Sequence, residues 1–560
     1  MSVCPDSGSM VLASKREPAI AKDLISVYKQ IDKYVKQWME LWNIPGLAIS
    51  ITDKNRLLRV ATYGYSDVES ELSVRPKTMW EIGSISKSFA SIVLMQLHDE
   101  HRVDLRRPVT EYLPWLNVKS RYEPITLHHL LTHTAGIIMG TESRLAGVPE
   151  ILALSETETS TPPGEHFYYS NVGYKIIGQV IEEVLGRSCD KAIQERIFDP
   201  LGMNDSVPTL THDMRRKLAV CYLPFYDDRP SPIGGDLVRA TWIESDTADG
   251  SICSSPSDMA MYMRMLINRG MCSNGRVISD EGVKLLTQKA IFPDDDLHKG
   301  AYGYGMSIEE SDGHTYIGHT GGMVGHTSSI RMDMDEGFGV GAFTNVSNSS
   351  EIDDVARFAL AVMRAAAAGV KLPEVPNLSD RLRVENPGEY TGTFYVGDRR
   401  VSVRADRQRL ILNIGKKNFA MEKRENEAFL VDHPGLDLFM MRFEREGGKV
   451  VRMLHGPDVY EKGARPKASK TRATKGWEEY EGHYRSYNPW FSNFRVISRT
   501  GALIYVDPSG QEQRMTKVSD VSFRIGDATS PEHVRFDCIV NGKAHHAVVS
   551  GGDFYRTFTP

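Results

Sequence analysis

The hydrophobic periodicity of the chain changes near residue 372, and that change sets what the polypeptide can fold into. Before it, apolar residues recur at helical spacing. Ile20, Leu24, Tyr28, Ile31, Val35 and Trp38 share one face of a segment from Pro18 to Trp42, and the same spacing returns at Tyr174 to Leu185, Ser257 to Ile267 and Glu351 to Ala368. Short strand-type runs are interspersed. Leu47 to Thr52 and Leu57 to Tyr63 read as a hairpin around Asp53-Lys54-Asn55, and Ser328 to Met332 and Gly339 to Phe343 read as later strands. Helices gathered around strands from both ends of a long segment predict an α/β (α+β) domain of about 370 residues.

After Lys371-Leu372-Pro373-Glu374-Val375-Pro376, alternation takes over, as in Val401-Ser402-Val403 and Leu410-Ile411-Leu412-Asn413-Ile414. Tyr390-Thr391-Gly392-Thr393-Phe394 recurs as Tyr480-Glu481-Gly482-His483-Tyr484, and each copy opens roughly 80 residues of strand pattern. Two small antiparallel barrels are expected, because a barrel closes its own edges. Lys462 to Lys475 is basic and free of acids, and it reads as a solvated linker. The expected domains are 1–372, 386–462 and 476–560.

A chain of 560 residues is too long for one ordinary domain. Its net charge of -6 gives no reason to expect nucleic acid or an anionic membrane as a partner. The best apolar run, Phe358 to Val370, is short and carries Arg364, so no membrane span is expected. Met1 to Arg16 has no apolar core of signal-peptide type, and the six cysteines are dispersed without Cys-x-x-Cys. These features fit a cytoplasmic protein with reduced thiols and no metal site.

The chemistry centres on Trp80-Glu81-Ile82-Gly83-Ser84-Ile85-Ser86-Lys87-Ser88-Phe89. Ser84 and Lys87 form Ser-x-x-Lys ahead of the apolar-periodic Ile92, Val93, Leu94 and Leu97, which places Ser84 in the first turn of a buried helix. Three residues is nearly one turn, so the Lys87 ammonium can reach the Ser84 hydroxyl, and an adjacent base is what turns a hydroxyl into a nucleophile. The motif alone says little. About two matches arise by chance in a chain of this composition, and Ser26-Val27-Tyr28-Lys29 is one such decoy.

Partners come from elsewhere in the chain. Tyr169-Ser170-Asn171 lies on the turn before the helix at Tyr174. In an extended turn Tyr169 and Asn171 point the same way, and a phenol beside an ammonium can shuttle protons. Gly318-His319-Thr320-Gly321-Gly322 puts glycines around a strand edge where a ligand can come close and where edge amides can meet an oxyanion.

In the order Ser-x-x-Lys, Tyr-x-Asn, His-Thr-Gly, the chain resembles the serine β-lactamase and DD-peptidase superfamily on its class C side. Ile44-Pro45-Gly46-Leu47-Ala48, Ile125 to Gly136, Pro200-Leu201-Gly202-Met203 and Ala248 to Ser254 match in kind, so the resemblance covers about 370 residues. In whole-chain layout it is similar to D-aminopeptidases of that superfamily: a β-lactamase/transpeptidase-like catalytic domain followed by two lipocalin-like β-barrels.

The resemblance implies a serine hydrolase that forms an acyl-enzyme on Ser84, with an amide or ester substrate and no cofactor. Lys87 and Tyr169 would handle the protons, and Asn171 would orient Lys87 and the substrate. Gly322 would share the oxyanion with Ser84, and Gly321 and His319 would line the substrate side. His133 falls in a family segment that is not catalytic. His319 stands where true class C β-lactamases carry Lys. A mostly neutral imidazole holds a carboxylate less firmly, which favours the esterase and D-aminopeptidase branches over antibiotic hydrolysis. An acyltransferase or esterase of secondary metabolism and a non-catalytic binding protein remain the alternatives. A homodimer is one possible assembly. The aromatic loop Tyr487-Asn488-Pro489-Trp490-Phe491 is the candidate gate that the last barrel would send to the active site.

Overall fold

The computed structural model describes residues 24–140, 147–294, 299–347, 351–378, 380–463 and 477–558. The start of the first expected helix and most of the basic linker lie outside these residues.

The two ends of the first domain meet in one antiparallel sheet. The hairpin β1 (Gly46–Asp53) and β2 (Leu57–Asp67), with the short β3 (Leu72–Ser73), comes from the beginning. β4 (Ala301–Tyr302), β5 (Ser307–Ser311), β6 (His314–Met323), β7 (His326–Asp333) and β8 (Phe338–Thr344) come from the end. The strand order is β4-β5-β6-β7-β8-β1-β2-β3, joined where Leu47 lies opposite Thr344. β1 is buried on both faces, so it lacks the polar alternation of a half-exposed strand. Leu47, Ile49 and Ile51 pack toward the helices Leu24–Trp42 and Ile352–Ala368. Ala48 faces the other way, into the core built around the helices Ser86–Asp99, Asn171–Leu185 and Pro256–Ile267. The sheet is thus the middle layer of three.

β5 pairs with β6 only as far as Ser307 opposite Gly318. Among the described residues, the outer edge of β6 beyond Gly318 has no strand neighbour. The short turn Gly83–Ile85, which leads into the helix Ser86–Asp99, packs there. That helix is apolar nearly all round, and its residues from Ser86 to Met95 are buried, as a helix in the centre of a large domain must be.

Both tail units are closed eight-stranded antiparallel barrels. The first runs from Gly392–Val396 to Asp458–Lys462, closed by Phe394 opposite Lys462; the second runs from Gly482–Arg485 to Gly552–Thr557, closed by His483 opposite Thr557. The Tyr-x-Gly repeat has a physical role in each. Tyr390 packs edge-on to Phe429 and Phe443, and Tyr480 packs on Phe523 and Phe536. A methyl group on Gly392 would meet the stem of Lys462 at 2.6 Å, and one on Gly482 would meet the Arg556 guanidinium at 2.5 Å. In both barrels the glycine makes room for a long cation from the closing strand.

Candidate active site

The segment before the buried helix is fixed from both sides. Ile82 donates its N–H to the Ile252 carbonyl at 3.0 Å and accepts the Ser328 hydroxyl at 2.9 Å. The Glu81 N–H donates to Nδ1 of the buried His326 at 3.2 Å. Ser84 itself sits in the short 3-10 turn Gly83–Ile85 leading into the helix, one step earlier than the first α-turn expected from sequence. Every residue from Met79 to Met95 is buried except Ser84, which is partly open to solvent. The fold thus exposes one hydroxyl at the end of an otherwise enclosed element.

Gly83 has φ of +54°, and a methyl group there would stand 2.7 Å from both the N and the O of Gly322. One on Gly321 would stand 1.9 Å from the Ile82 carbonyl oxygen. The two backbones can meet only because both positions lack side chains. Ser84 and Gly322 thereby line the same cleft.

Lys87 is fully buried. Its Nζ donates to Ser84 Oγ at 2.9 Å, Asn171 Oδ1 at 2.7 Å and the Asp249 carbonyl at 3.0 Å. It also lies 4.9 Å from the ring centre of Tyr169 and 5.7 Å from that of Tyr174. An ammonium has three donors, and here each meets an acceptor while two aromatic faces flank the charge. That is what a buried cation requires.

Asn171 opens the helix Asn171–Leu185, capped by the Ser170 hydroxyl accepting from the Gly173 N–H at 3.1 Å. Tyr169 lies just before this cap and stacks near His133, ring centres 4.2 Å apart. His133 Nδ1 accepts the Ser170 N–H at 3.0 Å, so its proton is on Nε2, 3.2 Å from the Tyr302 hydroxyl. The Tyr302 hydroxyl lies 2.9 Å from His319 Nε2, and His319 Nδ1 lies 2.5 Å from the Thr320 carbonyl. One donor order satisfies every pair: His133 to Tyr302, Tyr302 to His319, His319 to Thr320. Burial holds the Tyr302 phenol well above its ordinary pKa, so it stays a donor.

This network holds His319 in place. The side chain is 7% exposed and bonds Tyr302 and Thr320, whereas Thr320 and Gly322 are the exposed residues of that stretch. Gly321 is buried like His319 and serves by letting the Ile82 carbonyl approach. The His319 ring stands beside the phenol of the site, its centre 6.3 Å from that of Tyr169.

The cleft wall also carries Lys175, Glu244, Thr247, Asp249, Met323 and Trp490. Lys175, one turn beyond Asn171, is buried in an ion pair with Glu150. Trp490 comes from the last barrel. Of its loop, Phe491 packs on Phe494 and Phe554 inside that barrel and Tyr487 is fully exposed, while Trp490 reaches the cleft. Tyr302 and the Asp249 carbonyl carried no local sequence signal for the parts they play here.

The family model described as Beta-lactamase matches residues 31–363. Penicillin-binding protein 4 of Amycolatopsis lactamdurans is 26% identical over 346 residues, covering 60% of this chain and 88% of that protein. Protein flp of Staphylococcus aureus (strain N315) is 27% identical over 251 residues, covering 43% of this chain; the match spans 49% of that protein, about half its length. Among solved structures, the octameric penicillin-binding protein homologue from Pyrococcus abyssi is similar, with a TM-score of 0.57 at 26% identity over 78% of this chain and 100% of that one. Five free cysteines and no helix long and apolar enough to cross a membrane are found among the described residues. Ser84 and Asn171 line the cleft and both bond the buried Lys87, whose Nζ lies 4.9 Å from the Tyr169 ring centre, and the chain belongs to the Beta-lactamase family, whose members are serine hydrolases.

Proposed function

We propose that the protein cleaves an amide or ester through an acyl-enzyme on Ser84, with amides bearing a free amino group as the favoured donors. The observation that carries this reading is the Lys87 ammonium, shared among Ser84 Oγ, Asn171 Oδ1 and the Asp249 carbonyl. Ser84 Oγ attacks the substrate carbonyl carbon as its proton passes to the Lys87–Tyr169 pair in its form one proton short, neutral amine beside phenol or ammonium beside phenolate. The oxyanion is received by the N–H groups of Ser84 and Gly322, where preorganised donors act on the charge as it develops. Tyr169 returns that proton to the leaving group as its bond to the carbonyl carbon breaks; water then attacks the acyl carbon and gives a proton to the pair, which passes it to Ser84 Oγ as the ester bond breaks. The protons belong to the Lys87–Tyr169 pair rather than to either member.

Two features favour a donor with an ammonium group. Glu244 and Asp249 line the cleft, and one Asp249 oxygen, Oδ1, is buried with no hydrogen-bond partner among the described residues. Trp490 adds an aromatic face from the last barrel, in keeping with the D-aminopeptidase layout. The experiment is a kinetic comparison of D- and L-aminoacyl p-nitroanilides, their N-acetylated forms and short p-nitrophenyl esters. Free aminoacyl amides are expected to be turned over faster than their N-acetyl forms. Preference for the acetylated forms would reject the amine-binding reading. An alcohol or amine added as acceptor separates hydrolysis from acyl transfer by the product it captures.

A further inference from the structure

The last barrel touches the catalytic domain at a second place, behind the cleft. Glu532, between its strands Ser522–Ile525 and His533–Val540, accepts the Met139 N–H at 2.7 Å on one carboxylate oxygen. The Ser550 hydroxyl donates to the other oxygen. The Tyr168 phenol lies beside Glu532 and Ser530, and burial holds it well above its ordinary pKa. Each partner on the catalytic domain is one step from the site. Tyr168 precedes Tyr169, and its own N–H is held by the His133 carbonyl at 2.7 Å. The Met139 carbonyl accepts the N–H groups of Asn171 at 2.6 Å and Val172 at 3.1 Å. These are orphan donors in the first turn of the helix that presents Asn171. Ser170 Oγ donates to the neighbouring Ile138 carbonyl at 2.7 Å.

We infer that Glu532 is a positioning residue for the Tyr169–Asn171 segment, so that the second barrel completes the catalytic geometry from behind the cleft. The inference rests on the acyl-enzyme reading of Ser84. The carboxylate clamps Met139 and Tyr168, and these two residues set where the phenol of Tyr169 and the amide of Asn171 stand relative to Lys87. A buried carboxyl that takes the Met139 N–H on one oxygen and the Ser550 hydroxyl on the other, with the Tyr168 phenol beside it, is a stiff support. A shift of about 1 Å in such a group costs up to about a hundredfold in rate. The arrangement differs from a gate. Trp490 borders the space the substrate enters, whereas Glu532 acts through backbone and never meets the substrate.

The experiment measures the rate of Ser84 labelling by a fluorophosphonate, together with kcat and KM for a p-nitrophenyl ester, in the full chain. Glu532→Ala is expected to lower kcat and the labelling rate about tenfold or more, with KM within about twofold. Glu532→Gln, which keeps an acceptor for the Met139 N–H, is expected to recover most of the loss. Tyr168→Phe removes one hydroxyl, leaves the Met139 and Ser550 bonds in place, and is expected to cost several-fold in kcat. This variant decides the matter if Glu532→Ala does not fold. Asp520→Ala, at an exposed site on the same barrel, serves as the control. Wild-type kcat in Tyr168→Phe or in folded Glu532→Ala overturns the inference, as does a loss confined to KM. Failure of the unmodified chain to label at Ser84 instead rejects the acyl-enzyme reading.

Discussion

Gly83 and Gly322 approach so closely that a methyl group on Gly83 would come within 2.7 Å of both the N and the O of Gly322. This contact sets the nucleophile's turn against the strand edge. Gly83→Ala would push the two apart, and its φ of +54° disfavours any side chain. The substitution is expected to lower kcat by about a hundredfold to a thousandfold, the cost of one oxyanion donor. Steady-state kinetics on folded protein, confirmed by circular dichroism, checks it.

Lys87→Ala and Tyr169→Phe are each expected to cost about a thousandfold in kcat. Because the two groups act on the same protons, the double variant should be little worse than either single one. A double variant that shows the product of the two losses would mean that they act independently.

The buried Lys175–Glu150 pair has side-chain exposures of 7% and 1%. Removing one partner strands a buried charge, which costs about 3–5 kcal/mol. Glu150→Leu should therefore lower the melting temperature sharply. Glu150→Leu with Lys175→Met should recover much of it, because an apolar pair of similar volume leaves no charge uncompensated. Thermal denaturation of the three proteins tests this.

Glu309 accepts a forked pair of bonds from Arg357, at 2.9 and 2.7 Å, and lies 2.9 Å from Arg331. Burial alone would raise its pKa, but the two guanidiniums bring it down from 4.5 to about 2. A carboxyl with a depressed folded-state pKa contributes stability at pH above its unfolded value and loses it as pH falls through the folded one. That contribution should therefore disappear between pH 4.5 and about 2. Glu309→Gln should be less stable than the parent at pH 7 in urea titrations, and the gap should narrow across this window.

What could be read from the sequence follows the range of the interactions. Ser84 and Lys87 were legible because helical spacing alone brings residues three apart together. The barrels were legible because Tyr390-x-Gly392 and Tyr480-x-Gly482 repeat with the same spacing. His319 was assigned to the substrate side because of its motif, and its ring centre lies 6.3 Å from that of Tyr169. Tyr302, the Asp249 carbonyl and Glu532 were not legible. Each reaches the site across a long stretch of chain by a tertiary contact that leaves no local pattern.

The central claim is that Ser84 becomes acylated, and mass spectrometry of the intact and protease-digested protein after fluorophosphonate treatment tests it most directly. The account predicts one added group, located on the peptide carrying Ser84, absent in Ser84→Ala and formed far more slowly in Lys87→Ala. An adduct on another residue, or none on a protein shown to be folded, would contradict it.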